Sequence, residues 1–339
     1  MQDAKIYWNI LTSIVQSDIL IARKKVLENY FLDKINEVRK MKVLCFGSLN
    51  IDYTYKVEHF VKKGETLSSD SLHVYGGGKG LNQSVALAKA GTQVYHAGAI
   101  GQDGMFLLKM LQDAGAHTEY VKILETVRSG NAIIQNDKSG DNCIILYGGA
   151  NQAITKEQVD EVMTHFEQGD YIVLQNEINE LAYIMEKAHE KGLVIVLNPS
   201  PMNEKIQKLP LDTVDYFLLN EVEAAQILEK ENPQDESWEQ IAQELLDKFP
   251  HASIVLTMGS EGSVFKNQKE TVIQPIYKVK AVDTTAAGDT FTGYFIGGML
   301  SGLSAKEAMD QAAKASAIAV TRQGAAPSIP FLSEVQAYK

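Results

Sequence analysis

An aspartate that follows a run of small residues is the most informative feature of this sequence. Residues 281–290 read Ala-Val-Asp-Thr-Thr-Ala-Ala-Gly-Asp-Thr, and the apolar stretch after them predicts a helix from about 291 to 300. Small residues before a helix let backbone N–H groups converge on an anion, and the helix N-terminus adds roughly half a positive charge. Asp289 could take a proton from a substrate hydroxyl there, or it could only stabilise the helix dipole. The local sequence favours neither alternative.

A glycine-rich segment forms the second candidate. It reads Tyr-Gly-Gly-Gly-Lys-Gly-Leu-Asn-Gln over residues 75–83 and precedes an alanine-rich stretch. A phosphate-binding P-loop requires Gly-Lys-Ser or Gly-Lys-Thr, but Lys79 is followed by Gly80, so a Walker-type site is not supported. The glycines could let the backbone approach a polyhydroxylated ligand, with Asn82 bonding to its hydroxyls, or they could form an ordinary flexible loop.

Two shorter motifs place polar groups directly after apolar runs. Asn50 and Asp52 follow the first run, and an amide with a carboxylate can make the directional hydrogen bonds that sugar recognition requires; an aspartate there is also a routine turn residue. Asn220 ends a later run, with Glu223 one helical turn on. That glutamate could hold Mg²⁺ near nucleotide phosphates, directly or through water, or could simply open a helix.

Predicted strands and helices alternate along the part of the chain that contains most of these residues. Helical stretches follow short apolar runs at 171–174, 193–197, 216–219 and 254–256, at intervals that suit βαβ units. We therefore predict an α/β fold, a three-layer αβα arrangement with a mostly parallel, Rossmann-like central sheet. Each run ends on a hydrogen-bonding group, and ligands of such sheets bind beyond the carboxyl ends of the strands. The four strand ends predict one crevice.

Two segments, at about 51–76 and 128–148, lie outside this alternation and predict short strands of a small β-sheet. The second is a hairpin around a polar loop. Such a sheet could act as a lid that excludes water from the crevice. Its exposed strand edges favour a homodimer through the lid.

The bulk composition indicates small-molecule partners. The net charge of −11 among 339 residues repels nucleic acid, and no stretch approaches the roughly 20 apolar residues of a membrane span. The two cysteines, Cys45 and Cys143, indicate neither a disulfide framework nor a thiolate zinc site. We expect a cytoplasmic protein with a helical N-terminal extension at 1–40 and a main domain at 41–339.

Taken together and in this order, the motifs resemble the ribokinase family of carbohydrate kinases over about residues 41–335. The pair Gly-Gly-Lys-Gly-x-Asn and Asp-Thr-x-Ala-Ala-Gly-Asp-Thr-Phe carries the resemblance. It implies a ribokinase-like fold and transfer of the ATP γ-phosphoryl group to a sugar hydroxyl, the 5-hydroxyl if the sugar is ribose. It also implies Mg²⁺ and a monovalent cation, usually K⁺.

The resemblance assigns a role to each matching residue. Asp289 matches the catalytic base, and the anion hole matches Ala286, Ala287 and Gly288. The implied sugar contacts are Asn50, Ile51, Asp52, Gly78, Lys79, Gly80, Leu81, Asn82, Glu177 and Asp289. The implied nucleotide contacts are Asn220, Thr257, Met258, Gly259, Ser260, Glu261, Gly262, Gly288 and Asp289. Glu223 matches the residue associated with magnesium, and the potassium positions are Asp283, Thr285, Ala319, Arg322, Gly324 and Ser328.

Three functions remain open from the sequence. The first is a kinase for ribose, and the second is a kinase for deoxyribose, another small sugar or a nucleoside. The third is a non-catalytic sugar sensor that uses residues 1–40 to contact a partner or DNA. The intact pair Gly288 and Asp289 argues against the sensor, because a sensor needs no base.

Overall fold

The computed structural model describes residues 41–139, 141–230 and 237–338. The predicted helical extension at 1–40 lies outside the described residues. Within the described ranges, no helix combines the length and the apolar character needed to cross a membrane.

The described chain alternates strands and helices. The strands are β1 Val43–Phe46, β2 Asn50–Lys56, β3 Ser71–Gly77, β4 Val94–Gly101, β5 His117–Leu124, β6 Gly130–Asn136, β7 Asn142–Tyr147, β8 Tyr171–Gln175, β9 Val194–Asn198, β10 Tyr216–Asn220, β11 Ser253–Thr257, β12 Ser263–Lys266 and β13 Thr271–Gln274. The helices are α1 Lys79–Lys89, α2 Met105–Asp113, α3 Lys156–Met163, α4 Leu181–Lys191, α5 Glu221–Ile227, α6 Trp238–Lys248, α7 Ala287–Leu300, α8 Ala305–Ala319 and α9 Leu332–Ala337.

Nine strands form the large sheet, in the order β13-β12-β11-β10-β9-β8-β1-β4-β5. The pairs from β11 to β5 are parallel, whereas β12 pairs antiparallel with both of its neighbours, β11 and β13. β1 is buried along its whole length because helices cover both faces, which is why it reads as a continuous apolar run. Leu44 and Phe46 pack with α3, α4 and α6, whereas Val43 and Cys45 pack with α1, α7 and α8. The predicted three-layer αβα fold is confirmed.

The second sheet has four strands in the order β3-β2-β6-β7. β2 and β6 are parallel, and the outer pairs are antiparallel. The small sheet predicted from the two unusual segments is therefore present. Its edge strand β7 is exposed at every position.

Helix α7 begins at Ala287, four residues before the predicted start at 291. The small residues that were predicted to precede the helix form its first turn instead. Its residues 289–298 are all buried, as in a helix enclosed by the core. A Cβ on Gly293 would lie 2.3 Å from the Cβ of Ala86, so only glycine lets α7 approach α1 this closely. This contact fixes the two helices whose first turns carry Asp289 and Asn82.

Candidate active site

A cleft of about 240 Å³ lies where the sheet strands end and α7 begins. Asn198, Asn220 and Thr257, the last residues of β9, β10 and β11, line one wall. The other lining residues are Lys79, Leu218, Leu219, Glu223, Thr284, Ala286, Ala287, Gly288, Asp289, Phe291 and Thr292. The crevice predicted from the polar strand ends is therefore formed by three of them.

The Asp289 carboxylate is held by α1 and not by its own helix. Oδ2 accepts from Nδ2 of Asn82 at 3.0 Å, and Oδ1 accepts from Nε2 of Gln83 at 2.9 Å. No side chain caps α7 at Ala286. Asp289 is 6% exposed and lines the cleft, so its surroundings are those of an oriented carboxylate at a site.

The N-terminus of α7 faces the same cleft. Ala286, the N-cap, has a left-handed backbone with φ of 61°, which is uncommon for a residue other than glycine. The first N–H groups of a helix have no partner within it. A Cβ on Gly288 would meet no atom within 4 Å, so open space lies beside these groups. The arrangement can bind an anion.

Lys79 brings a positive charge to the cleft. Burial disfavours its charged ammonium, but the negative charges of Asp289, Glu177 and Glu223 outweigh burial and raise the pKa of Lys79. The side chain is therefore a cation at neutral pH and is surrounded by carboxylates from three separate elements.

Several predicted sugar contacts meet beside this lysine. Glu177 Oε2 accepts from the Lys79 backbone N–H at 2.8 Å and from the Ser48 hydroxyl. Asn50 Oδ1 accepts from Asn151 Nδ2 at 2.7 Å. Burial, together with the charge of Glu177, raises the pKa of Asp52 to about 7.

Four further predicted sugar contacts have no polar side chain to offer a ligand. Ile51 and Leu81 are buried in the core, so only their backbone atoms can face a ligand. Gly78 precedes α1 with φ of 94°, and Gly80 is buried within its first turn.

Asn220 and Glu223 form a reciprocal cap at the start of α5. Asn220 Oδ1 accepts from the Glu223 backbone N–H at 2.8 Å, and Glu223 Oε2 accepts from the Asn220 backbone N–H at 3.0 Å. Both residues line the cleft. No cluster of three or more His, Cys, Asp or Glu residues suited to a metal occurs in the described chain. The donor set fits Mg²⁺ that keeps waters and phosphate oxygens as most of its ligands.

The segment after β11 turns back into the antiparallel strand β12. Gly259–Glu261 form a single helical turn, and the Met258 N–H donates to the Gly262 carbonyl at 2.9 Å. Met258, Glu261 and Gly262 line a small cavity of about 10 Å³ with Trp238. Only Thr257 of the predicted set 257–262 lines the main cleft.

The predicted potassium positions lie on two loops that are joined at Asp283. Its Oδ1 accepts from the Thr285 N–H at 2.9 Å and its Oδ2 from the Gly324 N–H at 2.9 Å. Burial opposes ionisation, but these donors outweigh it and lower the pKa of Asp283. Two of the other positions have side chains that bond elsewhere: the Arg322 guanidinium pairs with Glu334 at 2.6 Å, and the Ser328 hydroxyl donates to the Ala325 carbonyl. The Ala319 carbonyl accepts from the Arg322 N–H at 3.0 Å.

Sequence reasoning missed the residues that support the site. Gln83 ends the glycine-rich segment at 75–83 and Gln175 follows the apolar run at 171–174, but neither position predicted a role. Ser48 and Asn151 carry no local signal, because their partners Glu177 and Asn50 are more than 100 positions away along the chain.

Fold and site together define a phosphotransferase, with an anion-binding helix terminus, an oriented carboxylate and a polar cleft at the carboxyl ends of the parallel strands. The model of the pfkB family of carbohydrate kinases matches residues 40–332. A ribokinase of Staphylococcus aureus (strain COL) is 34% identical over 300 residues, which cover 87% of this chain and 98% of the relative.

Solved structures give the same result. A ribokinase of Cryptococcus neoformans in complex with ADP superposes with a TM-score of 0.79 at 32% identity, covering 88% of this chain and 99% of the other. A ribokinase of Arabidopsis thaliana complexed with ribose and ATP has a TM-score of 0.77 at 28% identity, covering 88% of this chain and 98% of the other. The chain belongs to the pfkB family of carbohydrate kinases. It is an ATP-dependent sugar kinase of the ribokinase type, which phosphorylates an alcohol group.

Proposed function

We propose that this kinase transfers the γ-phosphoryl group of ATP to the 5-hydroxyl of D-ribose, giving ribose 5-phosphate and ADP. The observation that carries the proposal is the Asp289 carboxylate, which α1 holds beside the uncapped N-terminus of α7. The ribose and ATP bound by the Arabidopsis relative support the choice of substrates.

The sugar binds between the small sheet and α1. Asn50, Asp52, Asn82 and Glu177 supply side-chain hydrogen bonds, and Lys79 a positive charge. Ile51, Gly78, Gly80 and Leu81 supply backbone groups. The buried Oδ1 of Asn82 has no partner among the described residues, so it can accept from a sugar hydroxyl. The small sheet acts as the lid that excludes water from the transfer.

Chemistry begins when Asp289 takes the proton of the 5-hydroxyl. The hydroxyl oxygen attacks the γ-phosphorus in line, the bond from phosphorus to the bridging oxygen breaks, and ADP leaves with the bonding electrons. The N–H groups of the N-cap Ala286 and of Ala287 and Gly288 in the first turn stabilise the charge on the transferred group. A well-placed base contributes roughly 10²- to 10⁴-fold to the rate.

The nucleotide lies along the ends of β10 and β11. Asn220 and Thr257 contact it from the cleft wall, Gly288 and Asp289 bound its γ-phosphate, and the segment after β11 supports its other end. That segment comprises Met258, Gly259, Ser260, Glu261 and Gly262. Glu223 holds Mg²⁺ through water, and the ion, when bound, neutralises phosphate charge.

A monovalent cation, K⁺, binds between the two loops joined at Asp283 and stabilises the loop that precedes α7. Its ligands are mainly backbone carbonyls of the predicted positions Asp283, Thr285, Ala319, Arg322, Gly324 and Ser328. The hydrogen bonds from Thr285 and Gly324 to Asp283 support this proposal, since they hold both loops in one geometry.

Two copies associate through their lids. Val74, Tyr53, Ile133 and Ile145 are register neighbours and form one row across a face of the small sheet. Three of them are exposed apolar residues: Val74 at 49%, Ile133 at 39% and Ile145 at 59%. An apolar row on a sheet with open edges suits a second copy of the same sheet.

We assign the enzyme to the cytoplasm, where ATP is abundant; its two cysteines are free thiols, as a reducing compartment requires. The deciding experiment measures ADP formation from ATP and Mg²⁺ across ribose, deoxyribose, other small sugars and nucleosides, with K⁺ and with choline. We expect the highest kcat/KM for ribose and a higher rate in K⁺. A higher kcat/KM for another acceptor would make that acceptor, and not ribose, the substrate. Binding of sugar without any turnover would indicate a sensor.

A further inference from the structure

A row of two buried glutamines ends on the Asp289 carboxylate. Gln175, the last residue of β8, donates from Nε2 to Oε1 of Gln83 at 2.6 Å. Gln83 in turn donates from its own Nε2 to Oδ1 of Asp289 at 2.9 Å. Gln83 is 0% and Gln175 1% exposed, so water does not replace either bond. The row connects the central sheet to Asp289 through α1.

The row has a direction, because an amide donates at one end and accepts at the other. A reversed Gln83 would present its oxygen to Oδ1 of Asp289, where two acceptors would face each other. Gln175 Nε2 prevents that reversal. Of the two ends of the Gln83 amide, only the oxygen can accept a hydrogen bond from Gln175. Gln175 therefore selects the orientation in which Gln83 donates to the carboxylate.

Gln175 itself keeps an unsatisfied acceptor. Its Oε1 is buried and has no hydrogen-bond partner among the described residues. This oxygen lies close to Gly47, where a Cβ would be 2.3 Å from it. A buried acceptor without a partner destabilises the fold. The arrangement is thus poor for stability alone, which points to a role in orienting Gln83.

We propose that Gln83, oriented by Gln175, is a positioning residue that fixes the catalytic carboxylate; this inference rests on the function proposed above. Gln83 holds Oδ1 in the resting enzyme and during transfer. Oδ2 is the oxygen that takes the proton, because its donor Asn82 belongs to the sugar-binding set and can turn to the sugar. The row thereby decides which carboxylate oxygen faces the 5-hydroxyl.

Variants that remove the amide but keep the side-chain length test this role. Gln83→Met and Gln175→Met are compared with Gln158→Met, a control in a different environment. Gln158 is 1% exposed on α3, which packs on the opposite face of the sheet, and donates to the Gly98 carbonyl at 2.8 Å. The measurements are the single-turnover rate of phosphoryl transfer, the Kd values for ribose and ATP, and the melting temperature.

We expect Gln83→Met to lower the transfer rate roughly 10- to 100-fold, the usual effect of a small misplacement of a reacting group. Both Kd values stay within about twofold, because the substrates do not touch Gln83. Gln175→Met lowers the transfer rate by a smaller factor and also leaves both Kd values unchanged. Gln158→Met lowers only the melting temperature.

A double-mutant cycle separates positioning from a merely structural role. In the Asp289→Asn background, Gln83→Met should cause no further loss of rate, because the carboxylate through which it acts is gone. An equal fractional loss in both backgrounds, or an unchanged rate in Gln83→Met, would overturn the inference. If Gln83→Met does not fold, an unchanged transfer rate in Gln175→Met would likewise overturn the inference. Failure of the wild-type enzyme to phosphorylate any acceptor would instead overturn the proposed function, and the inference with it.

Discussion

Gly77 lies directly against the carboxylate of Asp52: a Cβ on Gly77 would be 1.9 Å from Oδ2 of Asp52. The two residues belong to neighbouring strands of the small sheet, where Asn50 pairs with Gly77 and Asp52 with Tyr75. Because any larger residue at 77 would occupy the space of this carboxylate, the position of Asp52 depends on glycine.

Gly77→Ala should therefore weaken sugar binding. The new methyl group displaces the Asp52 carboxylate from the sugar, and we expect KM for ribose to rise on the order of tenfold, as for loss of one hydrogen bond to a charged group. KM for ATP stays unchanged. Initial rates of ADP formation at varied ribose and ATP give both KM values, and isothermal titration calorimetry with ribose measures the loss of affinity.

Gly169→Ala is the control for the cost of an added methyl group. Gly169 has φ of 87° with no atom within 4 Å of an added Cβ, and it precedes β8, at the opposite end of that strand from Gln175. The Gly169→Ala variant should lose about 1–2 kcal/mol of stability through backbone strain and keep the ribose affinity of the wild type. Equal ribose affinity in Gly77→Ala and wild type would show that Asp52 does not contact the sugar.

Sugar binding should depend on pH near neutrality. Burial and the charge of Glu177 raise the pKa of Asp52 to about 7, and the ionised carboxylate is the stronger acceptor. Affinity for ribose is therefore full above about pH 7 and declines as the pH falls, by up to about tenfold per unit where protonation dominates. Ribose Kd between pH 5.5 and 8.5 measures this. Asp52→Asn should remove the dependence; a flat wild-type profile would contradict it.

Asp289→Asn should retain both substrates and lose turnover. An amide cannot take the proton, so we expect the transfer rate to fall by roughly 10²- to 10⁴-fold. Ribose and ATP should bind within a few-fold of wild type. Rapid-quench measurement of ribose phosphorylation gives the rate, and near wild-type turnover would remove Asp289 from the role of base.

Glu223→Gln separates charge from capping. Glutamine at this position can still accept from the Asn220 N–H, so the reciprocal cap of α5 survives and the melting temperature should change little. The Mg²⁺ concentration for half-maximal rate should rise, because the negative charge near the ion is lost. Glu221→Gln, in the same first turn and absent from the cleft lining, is the control and should leave the Mg²⁺ requirement unchanged. An identical requirement in Glu223→Gln would exclude Glu223 from the magnesium site.

The oligomeric state should respond to one lid residue. Ile145→Lys places a charge in the apolar row of the small sheet, and we expect it to convert dimers to monomers. Ile273→Lys is the control, since Ile273 is 56% exposed on β13 of the large sheet, against 59% for Ile145 on β7. Sedimentation velocity distinguishes the two. A dimer in both variants would place the interface elsewhere, and a monomeric wild type would exclude the dimer.

The layered fold and the cleft at the strand ends are predictable from the amino-acid sequence alone. Apolar runs that end on Asn198, Asn220 and Thr257 predict parallel strands whose carboxyl ends meet, and the motif around Asp289 predicts an anion-binding helix terminus. Both signals are local. Burial sets the spacing of apolar residues along a strand or helix, and the free N–H groups at a helix N-terminus bind anions in any fold.

The pairs of side chains that meet in the site depend on how the helices and strands pack. Asn82 lies 207 positions from Asp289, and their bond exists because α7 packs closely on α1. The Gln175 donor reaches Gln83 only after β8 lies beneath α1. Periodicity indicates that a side chain is buried but not what it faces, so Asp289 and Asn82 could be located in the sequence while the bonds that orient Asp289 could not.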